Sequence, residues 1–240
     1  MREISYIKRL ADTTSFRLFA VTALAVLVLS ACGGAANGDG SGSGWGGLPV
    51  NPPGGERPVP DDSPTCQVAD RTFDDDVTIP EGLSCTFSDV TIEGNLAISP
   101  GASVTATGGH IDGNVLVFPR ATWNGTGTTT GGNVQAEGAA RVSLTDMRVD
   151  GDVQTERADS LTVSGGSVDG NIQPDDGGSV LIEDVTVSGD VQAYDNNGGV
   201  QIRDNVIDGN LQCGGNNPAP TGGGNVVNGD AEGQCSGLAS

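Results

Sequence analysis

The side chains able to do chemistry in this chain are sparse and regularly spaced. There is one histidine, His110, and there are five cysteines, Cys32, Cys66, Cys85, Cys213 and Cys235. Cys66 and Cys85 lie 19 residues apart, and Cys213 and Cys235 lie 22 apart. A zinc centre needs about four convergent sulfur or nitrogen ligands, and His110 is remote from every cysteine. Oxidative pairing is the other chemistry open to the last four cysteines, and three pairings exist in principle. No Gly-x-Ser-x-Gly elbow, phosphate-binding loop or His-Glu-x-x-His string is present. No cofactor and no enzymatic activity are therefore expected. Carboxylates are plentiful: 31 Asp and Glu stand against 11 Lys and Arg, for a formal net charge of -20. Such a surface opposes binding to nucleic acid or anionic lipid.

The spacing of 19 belongs to the whole chain. Gly94-Asn95-Leu96, Gly113-Asn114-Val115, Gly132-Asn133-Val134, Gly151-Asp152-Val153, Gly170-Asn171-Ile172 and Gly189-Asp190-Val191 follow one another at that interval. Gly209-Asn210-Leu211 and Gly229-Asp230-Ala231 come at intervals of 20. A period this short marks a solenoid, in which each copy buries its core only against its neighbours. Apolar residues recur two before the marker glycine, two after it, ten after it and often twelve after it. These even offsets put them on one face of short strands, and helical spacing is not sustained. The expected fold is all-β: a right-handed, three-sided parallel β-helix with one coil per repeat. Glycine and Asx residues would turn its corners by tolerating positive φ. The register reaches upstream, with Asp75 in a glycine position and Val77, Ile79, Cys85 and Phe87 inward. Roughly eight coils at about 4.8 Å each make a rod on the order of 40 Å long.

A solenoid turns each repeat position into a row. Cys66 and Cys85 fall at one site on successive coils, within disulfide reach, so Cys66 is expected to pair with Cys85 and Cys213 with Cys235. Three outward rows stand out. One is Asn/Asp: Asn95, Asn114, Asn133, Asp152, Asn171, Asp190, Asn210 and Asp230. With Glu93, Asp112, Asp150, Asp169 and Asp208 beside it, it forms an acidic edge. Such an edge either binds Ca²⁺ or serves turn chemistry and stacking, and no metal site is assigned to it. The second row is Gln135, Gln154, Gln173, Gln192 and Gln212, whose amides can hydrogen-bond up a ladder. The third is hydroxyl-rich: Thr105 and Thr107, Asn124 and Thr126, Ser143 and Thr145, Thr162 and Ser164. It is the candidate ligand face, for a glycan or another envelope component. A flat Thr-x-Thr face on a β-helix resembles ice-binding proteins, although Leu181, Glu183, Gln201 and Arg203 break the pattern.

The first 65 residues read as an address. Arg2, Lys8, Arg9 and Arg17 precede an apolar run over 18–29. That run is shorter than the roughly 20 residues a spanning helix needs, and reads as a secretory signal. Leu29-Ser30-Ala31-Cys32 resembles a bacterial lipobox. The resemblance implies a signal peptide over 1–31, cleavage before Cys32, diacylation of Cys32 and a membrane partner reached through that lipid. Gly33 in place of Asp implies the outer membrane in a Gram-negative cell. Residues 32–65, rich in Gly, Ser and Pro, are expected to be a tether. Beyond Cys32 the chain has seven Arg, no Lys and 29 acidic residues, about -22 in all.

The β-helix is expected over 66–235, with a C-terminal tail at 236–240. Its Ile-Glu-Gly-Asn-Leu and Val-Asp-Gly-Asp-Val strings resemble bactofilins, polymer-forming bacterial cytoskeletal proteins with a short-coil triangular β-helix. Bactofilins are usually cytoplasmic and polymerise through open ends. Here a lipobox precedes the coils, and a disulfide is expected to clasp each end. The sequence therefore predicts a monomeric, lipid-anchored structural or adhesive element of the bacterial cell envelope, with self-assembly open. A glycan- or ice-binding lipoprotein and a polysaccharide lyase or hydrolase are the rivals.

Overall fold

The computed structural model describes residues 65–240. The expected signal peptide, Cys32 and the tether lie outside them, apart from Thr65, which opens the first strand. Every regular element among the described residues is a strand, and no helix among them is long and apolar enough to cross a membrane.

The strands form three nine-stranded parallel sheets, and each coil contributes one strand to each. Sheet A runs from Thr65–Ala69 to Thr221–Gly223, sheet B from Thr72–Phe73 to Val226–Val227, and sheet C from Val77–Ile79 to Ala231–Gly233. Register follows the repeat: Cys66 pairs with Cys85 and Val142 with Leu161, each 19 residues on. From Val180 the step is 20, to Val200. Nine coils stack, one more than the marker glycines, because the Asp75 coil joins them.

Alternation drives the core. In Ser103–Thr107 the side chains of Val104 and Ala106 are buried while Thr105 and Thr107 face out. Ile92, Leu96, Ile98, Ile172, Ile182, Ile202, Ile207 and Leu211 are fully buried along the axis. Trp123 is the largest of these side chains. Its room is made by Gly125, where a Cβ would meet Met147 Sδ and stand 3.0 Å from Trp123 Cζ2.

Two of the three corners in each coil turn as expected, through Gly and Asp residues with positive φ, and the marker-glycine corner does not. The marker glycines do not take positive φ. They are glycine because of crowding: a Cβ on Gly132 would stand 2.6 Å from Asn114 Oδ1 and 2.8 Å from the Gly113 carbonyl oxygen. The glycine backbones instead bond to one another, Gly113 N–H to Gly94 and Gly132 N–H to Gly113, both at 3.0 Å. Positive φ is found at the other two corners. Asp70, Asp89, Asp146, Asp184 and Asp204 follow sheet A, and Arg157, Asp176 and Asp195 follow sheet C. Aspartate visits this region more readily than most residues because its short polar side chain can bond locally.

Both expected disulfides are present. Cys66 and Cys85 have Cα atoms 4.5 Å apart, and Cys213 and Cys235 have them 5.2 Å apart. At the C-terminal end, residues 214–224 supply a corner and the last strand of sheet A. The cap is made by 234–240, most of which (236–240) was expected to be a tail. Leu238 is buried, Asn225 pairs with Ala239, and the Ser240 N–H bonds to the Asn225 carbonyl. A single leucine suffices because the triangular core is only a few side chains wide.

Candidate functional site

The outer surface carries the rows that the repeat predicts, and their contacts separate rows bonded along the axis from the hydroxyl row. The Asn/Asp row is scaffold. Asn114 N–H donates to Asn95 Oδ1 at 2.8 Å, Asn133 N–H to Asn114 Oδ1 at 2.8 Å, and Asp152 N–H to Asn133 Oδ1 at 2.7 Å. The pattern continues through Asn171, Asp190, Asn210 and Asp230. It begins one rung earlier than expected, at Asp76, which accepts from Asn95. Each side-chain oxygen thus satisfies a backbone donor that the corner would otherwise leave unpaired.

The glutamine row is a second ladder. Gln135 donates to Gln154, Gln154 to Gln173, Gln173 to Gln192 and Gln192 to Gln212, at 2.7 to 3.2 Å. Gln212 then donates to Glu232. Every amide in the run is engaged along the axis.

The acidic edge carries internal partners. His110, outward on sheet B, places Nε2 2.6 Å from Asp112, and Arg148 bridges Asp150 and Asp169. A second acidic group, which sequence reading missed, lies at the end of sheet C. Glu137, Glu156 and Asp175 are consecutive rungs, with Asp176 and Asp195 at the adjoining corner. Arg157 pairs with Glu137 and Glu156. Partial burial raises the Asp175 carboxyl above its ordinary range, and the neighbouring Asp195, Asp176 and Glu156 charges raise it further. Among the described residues no group of three His, Cys, Asp or Glu side chains is placed to hold a metal ion.

The hydroxyl row occupies the outer face of sheet A. Thr105, Asn124, Ser143 and Thr162 form one column, and Thr107, Thr126, Thr145 and Ser164 form the next. The face is wider than predicted. Between positions 84 and 164 every outward position on sheet A is Ser or Thr except Asn124 and Arg141. Ser84, Thr86, Ser88, Ser103, Thr122 and Ser160 extend it. The signal was available in the sequence, as the same period read nine residues after the marker glycine and one coil earlier.

The face ends at a shallow trough of about 360 Å³. Thr162, Ser179, Leu181, Gln201 and Thr221 lie on its strand side, and Gly198, Gly199, Pro218 and Ala219 on its corner side. Behind that corner stands a buried amide ladder that sequence reading also missed. Asn196 Nδ2 donates to the carbonyls of Pro174 and Tyr194 and to Asn216 Oδ1. Asn216 Nδ2 donates to Ala193 O and to Gln234 Oε1. Compared with protein-family models, with curated proteins and with solved structures, the chain has no match.

Proposed function

We propose that this protein is a lipid-anchored, non-enzymatic rod of the bacterial cell envelope, serving as a structural or adhesive element. The observation that carries the reading is the continuity of the ladders. Backbone, Asn/Asp and Gln hydrogen bonds run from coil to coil, and disulfides close the first and last coils. A stack held in this way is rigid along its axis and has no hinge to offer a reaction cycle. The trough contains no titratable side chain, so it supplies no acid or base for glycosidic chemistry. The lipobox-like Leu29-Ser30-Ala31-Cys32 supports attachment through Cys32, and the bactofilin-like strings support a structural role. In a Gram-negative cell the expected membrane is the outer one.

A second reading is favoured by one observation: the hydroxyl face of sheet A is continuous and nearly free of charge on an acidic protein. On that reading the rod is a glycan-binding lipoprotein using Thr105, Thr107, Thr126, Ser143, Thr145, Thr162 and Ser164.

Fractionation of cells expressing the full-length chain tests the anchor. The wild type should sediment with membranes and incorporate labelled fatty acid. Cys32→Ser should stay uncleaved or leave the membrane pellet, because one or two acyl chains are its hydrophobic attachment. Unlabelled wild type in the soluble fraction would contradict the reading.

A further inference from the structure

The two 20-residue coils depart from the period at one place. Leu161 pairs with Val180 at a step of 19, whereas Val180 pairs with Val200 and Gln201 with Thr221 at steps of 20. Ile172 still pairs with Val191 at 19. The extra residue therefore enters between sheet C and sheet A, in the corner containing Gly198 and Gly199. The next coil keeps it, in the corner containing Pro218 and Ala219. These two corners stack, with Pro218 Cγ 4.0 Å from where a Cβ on Gly199 would stand. Together they wall the trough beside Leu181. The irregularity in the repeat and the concavity in the surface have the same origin.

The corner is held rigidly. Gly177 N–H donates to Asn196 Oδ1, Asn196 N–H to Asn216 Oδ1 and Asn216 N–H to Gln234 Oε1, at 2.9 to 3.1 Å. Asn196 and Asn216 are buried, and a buried amide must be fully bonded to be tolerated. Such a wall is preorganised, which lowers the entropic cost of binding.

The lining specifies the ligand. It comprises hydroxyls, one amide, backbone and an aliphatic patch, with no charged side chain, on a chain whose formal net charge is -20. A cation would be drawn instead to the carboxylates of sheets B and C. An anion would meet the repulsion of the whole rod with no arginine in the trough to offset it. The occupant is therefore neutral. It must also satisfy hydroxyls that both donate and accept, and cover Leu181. Ser143, Asn124 and Thr105 continue the Thr162 column at a spacing of about 4.8 Å, so a linear occupant can run out of the trough along the rod. We propose that this trough and the column leading from it bind a neutral linear polysaccharide. Hydroxyls of the sugar meet Thr162, Ser179, Gln201 and Thr221, and an apolar pyranose face lies on Leu181. The trough is open and has no aromatic side chain to stack on a sugar. Affinity per site is on the order of 1 mM, and longer chains bind more tightly by engaging more rungs. The proposal deepens the adhesive side of the function proposed above and rests on it.

Native electrophoresis in gels containing polysaccharide suits a weak ligand and an acidic protein. The probes are β-1,3-glucan, hydroxyethylcellulose, mannan and dextran as neutral polymers, and polygalacturonate as the anionic one. The full-length protein is run in a polyoxyethylene detergent, which carries no sugar. Retardation by at least one neutral polymer and none by polygalacturonate is expected. Leu181→Glu should weaken it by about tenfold, and Thr186→Glu on sheet B should leave it unchanged. Gln201→Glu serves as a second trough variant if Leu181→Glu fails to fold. No retardation by any neutral polymer, or equal retardation of wild type and both trough variants, overturns the proposal. Thermal hysteresis of freezing without glycan retardation also overturns it and assigns the face to ice. Membrane fractionation of Cys32→Ser is read independently, so failure of the anchoring reading and failure of the trough are separable.

Discussion

The side-chain oxygen of Asn133 lies 2.7 Å from the backbone nitrogen of Asp152, one coil further on, and accepts its hydrogen bond. Asp152 repeats the act for Asn171 at 2.8 Å. An acceptor oxygen is what the rung requires of its side chain, so Asn and Asp exchange freely along the row. Where Asn follows Asp, its amide can also donate back, as Asn171 Nδ2 does to Asp152 Oδ1 at 3.0 Å. The alternation therefore tempers charge and closes the ladder at once. The same geometry leaves no space for a side chain at the preceding glycine.

Glycines of two kinds should respond differently to alanine. Gly132→Ala forces a Cβ against Asn114 Oδ1 and the Gly113 backbone, and should cost about 3 kcal/mol by overpacking. Gly127 has positive φ but nothing within 4 Å of a Cβ, so Gly127→Ala should cost only about 1 kcal/mol of backbone strain. Urea unfolding of the two variants measures the difference, and equal costs would refute the crowding argument.

Asn196→Ala should destabilise by roughly 3 kcal/mol. It removes a buried amide and leaves two carbonyls and the Gly177 N–H short of a partner, each costing about 1 to 3 kcal/mol when left unmet, while Asn216 Oδ1 keeps the backbone N–H of residue 196. Hydrogen exchange should show the loss concentrated around the corners at 195–199 and 215–219. A loss spread evenly over all coils would argue against a local pin.

Asp175 gives the stability a pH dependence of known sign. Its carboxyl is raised by burial and then by Asp195, Asp176 and Glu156, so the fold holds its proton more tightly than the unfolded chain does. That contribution is complete at low pH and is lost as pH rises through the raised value. Asp175→Asn should raise the melting temperature at pH 7 and leave it unchanged near pH 3. A decrease at pH 7 would show that ion pairing outweighs repulsion there.

What could be read from the sequence was whatever repeats. Inward residues such as Leu96, Val115 and Val153 declare themselves because the period and the strand alternation agree. Cys66 and Cys85 declare their bond by sharing one period. The marker glycines were visible as positions but not as causes, since crowding by Asn114 Oδ1 on another coil leaves no local trace. Asn196, Asn205, Asn216 and Asn225 were not recognised as core residues. Asparagine reads as a turn former, and only the stacked carbonyls of neighbouring coils make it an inward residue. Leu238 was missed because one apolar residue in a polar stretch carries no periodicity. The trough did have a signal, in the change of step from 19 to 20.

A closed rod that works as a single unit has a definite sedimentation behaviour. Thr65–Ala69, Thr72–Phe73 and Val77–Ile79 are the end strands of their sheets among the described residues, and unpaired strand edges favour stacking. The Cys66–Cys85 bond fixes that end, and the Cys213–Cys235 bond with Leu238 closes the other. Acidic repulsion adds to both at low salt and is screened beyond about 8 Å at physiological strength. The full-length protein in detergent, run at low and high salt with and without reductant, should sediment as a monomer at either salt while oxidised. Assembly appearing only after reduction would agree with disulfide-closed ends, whereas filaments under oxidising conditions would contradict the closed rod.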